Sequence, residues 1–317
     1  MPGSRRFWHA NSLVPVDSEP LTMPAAALPM RHFLLAIAVV AIWGTNFVVI
    51  KIGLDHLPPL LFAALRFTFA ALPMVFFLPR PAASWRNLAA YGLLIGAGQF
   101  GLLFIAMKGH ISPGLASLVI QSQVFFTILL SMRMSHERVK PIQWFSLALA
   151  SAGIVVIGAH SDTTNTGGAV TITGLLLILV AAACWAGGNM VNKQAGRVNM
   201  VAYVVWSSLF AAPPLFILSL LFEGWPAIAE GLQAADTATW AAVLWQTIGN
   251  SLFGYAMWGW LLARYPAATV TPMALLVPVF GMGASSIVLG ESMPAWKLIA
   301  MVLVMGGLAM NLWRRPE

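Results

Sequence analysis

FLLAIAVVAIWGTNFVVIK, residues 33–51, carries no charged side chain from Phe33 to Ile50 and closes on Lys51. At about 1.5 Å of rise per residue a helix of this length crosses most of a hydrocarbon core about 30 Å thick. Its apolar residues are continuous, whereas the strands of a membrane barrel alternate every second position. The stretch therefore predicts a transmembrane helix. Apolar residue types make up 59% of the 317 residues, charged ones only 9%, and mean hydropathy is +0.82. A soluble domain carries about 25% charged residues. This chain cannot cover a soluble surface, and lipid is the solvent its composition fits.

Nine further runs succeed it, at 60–78, 88–107, 115–133, 142–159, 173–192, 201–222, 238–262, 268–289 and 296–313. The connections are short and hold Pro58-Pro59, Pro81, Pro113, Pro141, Gly167-Gly168, Pro226, Pro266 and Pro294; only 223–237 has room for a small interfacial helix. Residues 1–30 carry Arg5, Arg6 and five prolines without an apolar core, so a disordered tail is expected, the membrane domain beginning at Met30 or Arg31.

The basic pI does not mark a nucleic-acid binder, because the cations are scattered between apolar runs. With the N-terminus inside, thirteen of the seventeen Lys and Arg residues fall on the inner side. Lys51, Lys108 and Lys297 fall outside and Arg66 lies within a span. The positive-inside rule then predicts an N-in, C-in chain, which requires an even number of crossings. The expected fold is an all-α membrane protein of ten transmembrane helices.

The sequence also repeats. Trp43-Gly44-Thr45-Asn46 is followed by Lys51, and Trp185-Ala186-Gly187-Gly188-Asn189 by Lys193, each lysine eight residues past its tryptophan. Pro113-Gly114 opens the fourth span, followed by Glu137; Pro266-Ala267 opens the ninth, followed by Glu291. The organisation predicted is two five-helix repeats, 31–159 and 160–317. Five is odd, so the halves enter the membrane in opposite senses, an architecture that suits alternating access to a site at their interface.

The residues that carry this pattern, Ala41 to Lys51, Leu65-Arg66-Phe67, Gly114 to Val119, Trp185 to Lys193 and Leu275-Leu276-Val277-Pro278-Val279, resemble the EamA branch of the drug/metabolite transporter superfamily over about residues 31–313. Within it Phe47 to Lys51, Gln121 to Thr127 and Gly187-Gly188-Asn189 look like exporters of O-acetylserine and cysteine. The residues flanking Glu137 and Glu291 and the thirty-residue tail depart from the pattern. The resemblance implies export of small metabolites, amino acids of the cysteine pathway or other amino acids and drug-like solutes, from a bacterial inner membrane.

Polar side chains inside spans are expensive and face a cavity or another helix. Arg66 is the only arginine in any span; it either snorkels to the outer headgroups or faces a central cavity and holds a substrate carboxylate through its planar fork. Trp43 with Asn46, and Trp185 with Asn189, each share a helix face and either clamp the halves together or line the cavity. Gln121 and Gln123 point about 160° apart on a helix, so one lines the cavity and the other bonds a neighbour. Gln99, Gln246 and Asn250 are single polar positions of the same kind, and Trp206, Tyr255 and Trp258 offer aromatic walls. Pro213-Pro214 and Pro278 are expected to interrupt their helices as hinges. No Asp, Glu or His lies mid-span, no phosphate-binding loop or metal-ligand cluster occurs, and the lone Cys184 reads as a small buried hydrophobe. No cofactor, no enzymatic activity and no nucleic-acid partner are expected; a monomer binding a small solute in lipid is.

Overall fold

In lipid every backbone amide must be paired within its own segment, and the apolar runs are helical accordingly. The computed structural model describes residues 28–135, 141–161, 170–196, 198–265 and 267–312. Most of the expected tail, Glu137, the Gly167-Gly168 turn and Pro266 lie outside them.

The helices are α1 (Met30–His56), α2 (Pro59–Ala71), α3 (Trp85–Gly92), α4 (Leu102–Met107), α5 (Pro113–Val119), α6 (Gln123–Ser135), α7 (Pro141–Ala159), α8 (Ile172–Ala195), α9 (Met200–Phe222), α10 (Gly224–Ala234), α11 (Thr237–Leu244), α12 (Gly254–Arg264), α13 (Ala267–Val270), α14 (Leu276–Leu289) and α15 (Ala295–Leu312). Among the described residues eight helical stretches are long and apolar enough to cross a membrane, and Ala295–Met310 is a shorter apolar helix. The helix expected between 223 and 237 is α10.

Side chains at the ends fix where these helices start. Ser84, Thr171, Asn199 and Asp236 are N-caps that accept from backbone N–H groups of the first turn, and proline opens α2 and α5. Gly290, at φ 66°, ends α14 in the left-handed conformation that a Cβ would disfavour.

The two halves repeat the same irregularities. A π-helical segment, Leu93–Gly101, joins α3 to α4; a second, Trp245–Phe253, joins α11 to α12, 152 residues later. A 3₁₀ turn, Ile120–Ser122, precedes α6, and Thr271–Leu275 precedes α14, whose first residue is 153 beyond that of α6. The terminal helices α7 and α15 pack together where a Cβ on Gly153 would lie 2.7 Å from Val304, and one on Gly307 2.6 Å from the Ser146 carbonyl. These glycines are also 154 residues apart, so close approach is built from equivalent positions of the two halves.

Connections that the charge pattern assigns to one face do meet at one end. Lys108 Nζ donates to the Leu54 carbonyl, Thr171 N to the His110 carbonyl (2.8 Å), and Leu60 N and Leu61 N to the Glu223 carboxylate (2.6 and 3.1 Å). Glu291 joins this end from the second half. It accepts from Ser112 Oγ, from Gly114 N (3.0 Å) and from Lys297 Nζ (2.8 Å). Lys297, expected at an outer helix end, is 1% exposed and also bonds the Ser292 carbonyl. Burial alone would raise the Glu291 carboxyl; the Lys297 and Ser112 hydrogen bonds outweigh it and hold it below the usual range.

The prolines behave differently from expectation. α9 runs unbroken through Pro213 and Pro214, since proline's fixed φ is itself helical, and α2 packs along this helix. Pro278 sits in the first turn of α14, directly after the 3₁₀ turn that breaks that span.

Candidate functional site

α2 is apolar almost throughout, yet it carries Arg66 into the protein rather than towards headgroups. Arg66 is 1% exposed. The neighbouring spans can come close enough to enclose it because glycines face α9: a Cβ on Gly92 would sit 2.3 Å from the Ser207 carbonyl and one on Gly96 2.4 Å from Ala211 Cβ. The π-helical segments then aim side chains at the guanidinium from both halves. Phe100 lies under it, 3.6 Å from Cζ to the ring centroid, with Phe67 at 5.1 Å. Ser251 Oγ accepts from Nη2 at 3.0 Å while donating to the Gln246 carbonyl five residues back, the spacing a π turn opens.

A guanidinium has five N–H donors and no accessible neutral form. Among the described residues no carboxylate pairs with Arg66, and Nε and Nη1 have no hydrogen-bond partner. Arg66 borders a cavity of about 10 Å³, room for a single water, with Tyr91, Ser207, Ser208, Ser251 and Tyr255 among its other lining residues. With the cavity widened beyond one water, such an arrangement can receive a planar anion: the second N–H of Nη2 forms a fork with Nε or with Nη1, which a carboxylate matches in both oxygens. The phenols and serines beside it supply further polar contacts.

Trp43 Nε1 donates to the Asn250 carbonyl (3.3 Å), and its ring packs against Tyr255 and Trp258, with centroids at 5.8 and 5.2 Å. This places α1 against α12 beside the cavity. Asn46 Oδ1 accepts from Gln246 Nε2 at 2.7 Å, a buried bond between the halves, and Gln99 is buried with Oε1 unpartnered. Of the residues singled out in the sequence, Arg66 and Tyr255 line the cavity. The others do not. Neither glutamine of the fourth span reaches it: Gln121 donates to the Ala274 carbonyl (3.3 Å) and Gln123 accepts from Asn189 Nδ2 (3.0 Å). Trp185 packs on the general core, and Trp206 bonds the Leu78 carbonyl (3.1 Å) beside Trp85. Sequence reading missed Tyr91, Phe100, Ser207, Ser208 and Ser251. Ser251 was reachable, since it stands 152 residues after Gln99, at the same place in the second π segment.

Two like helical halves with a buried, unpaired cation at their meeting place suit a membrane transporter. The model of the EamA-like transporter family matches residues 30–159 and again 172–313, and the chain belongs to that family. It is 41% identical over 283 residues to a probable amino-acid metabolite efflux pump of Salmonella typhimurium, covering 88% of this chain and 94% of the relative. A protein of the same description from Escherichia coli is 39% identical, covering 89% and 96%. A solved crystal structure at 20% identity matches with a TM-score of 0.58, over 89% of this chain and 96% of that one, which supports the fold. The protein is a multi-pass protein of the bacterial inner membrane.

Proposed function

We propose that the chain is a secondary exporter of small amino-acid metabolites, crossing the membrane ten times with both ends inside and exposing the Arg66 cavity to each face in turn. The relatives described as amino-acid metabolite efflux pumps support the substrate class. The repeated π segments, 3₁₀ breaks and glycine crossings support a two-fold exchange of equivalent conformations between inverted halves. O-acetylserine and cysteine, which the sequence resemblance suggests, carry the small carboxylate that such a guanidinium would bind once the cavity opens.

One observation carries the reading. A permanently charged side chain is buried with two nitrogens unpaired, where insertion scales charge about 2.5–3.5 kcal/mol for an arginine at a helix centre. A substrate carboxylate meets that deficit and cancels the charge for the crossing. Arg66→Lys should insert normally yet lose most transport, since an ammonium cannot form the fork. Arg66→Ala should impair export of an amino acid more than of its methyl ester. The measurement is efflux of both compounds from the same reconstituted vesicles, with the amount of inserted protein determined alongside. Wild-type export of the amino acid by both variants would remove Arg66 from the site.

A further inference from the structure

A second cavity, of about 440 Å³, opens on the end of the molecule that carries Arg86, and Ser84, Asn87, Ala90, Val191 and Gln194 line it. Its size falls in the range of small-molecule pockets, about 300–1,000 Å³, while the Arg66 cavity admits one water. The two lie in series along one helix. Asn87 and Ala90 face the larger space; Tyr91 and Gly92, the next residues, face the smaller. A pair of tyrosines from the two halves links the two linings. Tyr203 of α9, fully buried, packs edge-on against Tyr91 with ring centroids 4.8 Å apart. Its hydroxyl donates to Asn87 Oδ1 at 2.6 Å, and Asn87 Nδ2 donates to the Val191 carbonyl at 2.7 Å. One hydrogen-bonded chain thus ties α9, α3 and α8 together at the boundary between the cavities.

We propose that the larger cavity is the solute's first binding station on the basic, cytoplasmic face, and that Tyr203 with Tyr91 is the gate between it and Arg66. The station suits a small zwitterion. The Arg86 guanidinium at its mouth meets the carboxylate, and the Gln194 side-chain oxygen accepts from the ammonium. Passage inward requires the Tyr203–Asn87 bond to break and the tyrosine edge to swing, which joins the two spaces. Such a bond, at its typical net strength, corresponds to about a fivefold bias of a two-state equilibrium towards the closed gate. The proposal rests on Arg66 marking the substrate site, but its test uses no substrate.

Cys184→Ala supplies a background free of thiols, in which Ala90→Cys reports the larger cavity and Ser208→Cys the smaller. A membrane-impermeant methanethiosulfonate is applied to inside-out and to right-side-out vesicles. Position 90 is expected to react from the cytoplasmic face, and position 208 slowly. Adding Tyr203→Phe, which keeps the ring and removes only the hydroxyl, should raise the rate at 208 about fivefold, with Tyr203→Ala raising it further. Reaction of 90 from the outer face alone would overturn the station. Equal rates at 90 and 208 with Tyr203 intact, or no acceleration by either Tyr203 variant, would overturn the gate. Wild-type export by the Arg66 variants together with this labelling pattern would fault the Arg66 reading alone.

Discussion

At the scale of single residues, the contact that most distinguishes this interior is Arg66 over Phe100. A cation stacked on an aromatic face away from water is stabilised by up to about 2 kcal/mol, where an exposed pair gains half that or less. Phe100→Leu keeps an apolar side chain but removes the ring, so thermal unfolding in detergent should show a loss of about 1–2 kcal/mol. Phe104→Leu is the matched control, since Phe104 is also fully buried but packs on Phe62 and Phe100 instead of the cation. In an Arg66→Met background the extra cost of Phe100→Leu over the control should vanish, as a double-mutant cycle requires of a direct coupling. An extra cost that persists without the guanidinium would show the ring to be ordinary packing.

At the scale of elements, Glu291 couples the loop after α14 to the start of α5 and, through Lys297, to the first turn of α15. Glu291→Gln leaves the Lys297 ammonium buried without its counter-charge, a change that costs about 3–5 kcal/mol when a buried pair is broken from one side. Glu291→Gln combined with Lys297→Met should recover a large part of that loss. The acid dependence stems from the same pair. Because folding depresses the carboxyl below its ordinary value of 4.5, its stabilisation is complete above that pH and is lost as the pH falls through the lower, folded value. Unfolding temperatures measured below pH 4.5 should therefore drop more steeply for the native chain than for Glu291→Gln. Parallel pH curves would mean that Glu291 contributes nothing through its charge.

At the scale of the whole molecule, five connections gather at one end, and the proposed topology makes that end periplasmic. Single cysteines in the Cys184→Ala background at His56, His110, Glu230 and Ser292 should react with an impermeant reagent from outside, and those at Arg86 and Arg264 from inside. Labelling of Ser292 and Arg264 from the same face would rule out the inverted arrangement, since a single span separates them. The proposed exchange would act on two sets of contacts: α7 and α15 cross at equivalent glycines, while α2 and α9 pack with Arg66 and the facing serines between the halves.

The sequence by itself determined the all-helical membrane fold, most of its apolar spans and the duplication, because lipid reads hydropathy locally and any span must pair its own backbone. It also showed Arg66 to be the one arginine inside a span, and it brought Tyr255 into consideration. Only the tertiary structure decided which polar group meets which. Arg66 and Ser251 are 185 positions apart, and Asn46 and Gln246 are 200 apart. Their meeting depends on the azimuth of each helix, and one residue inserted by a π turn rotates the rest of that helix by about 100°. Gln121 and Gln123, placed by regular helical geometry, both bond neighbouring spans instead, because a 3₁₀ turn sits at that point of their span. The π turns brought Phe100 and Ser251 to the guanidinium. An α-helical wheel does not contain these rotations; packing across the two halves sets them.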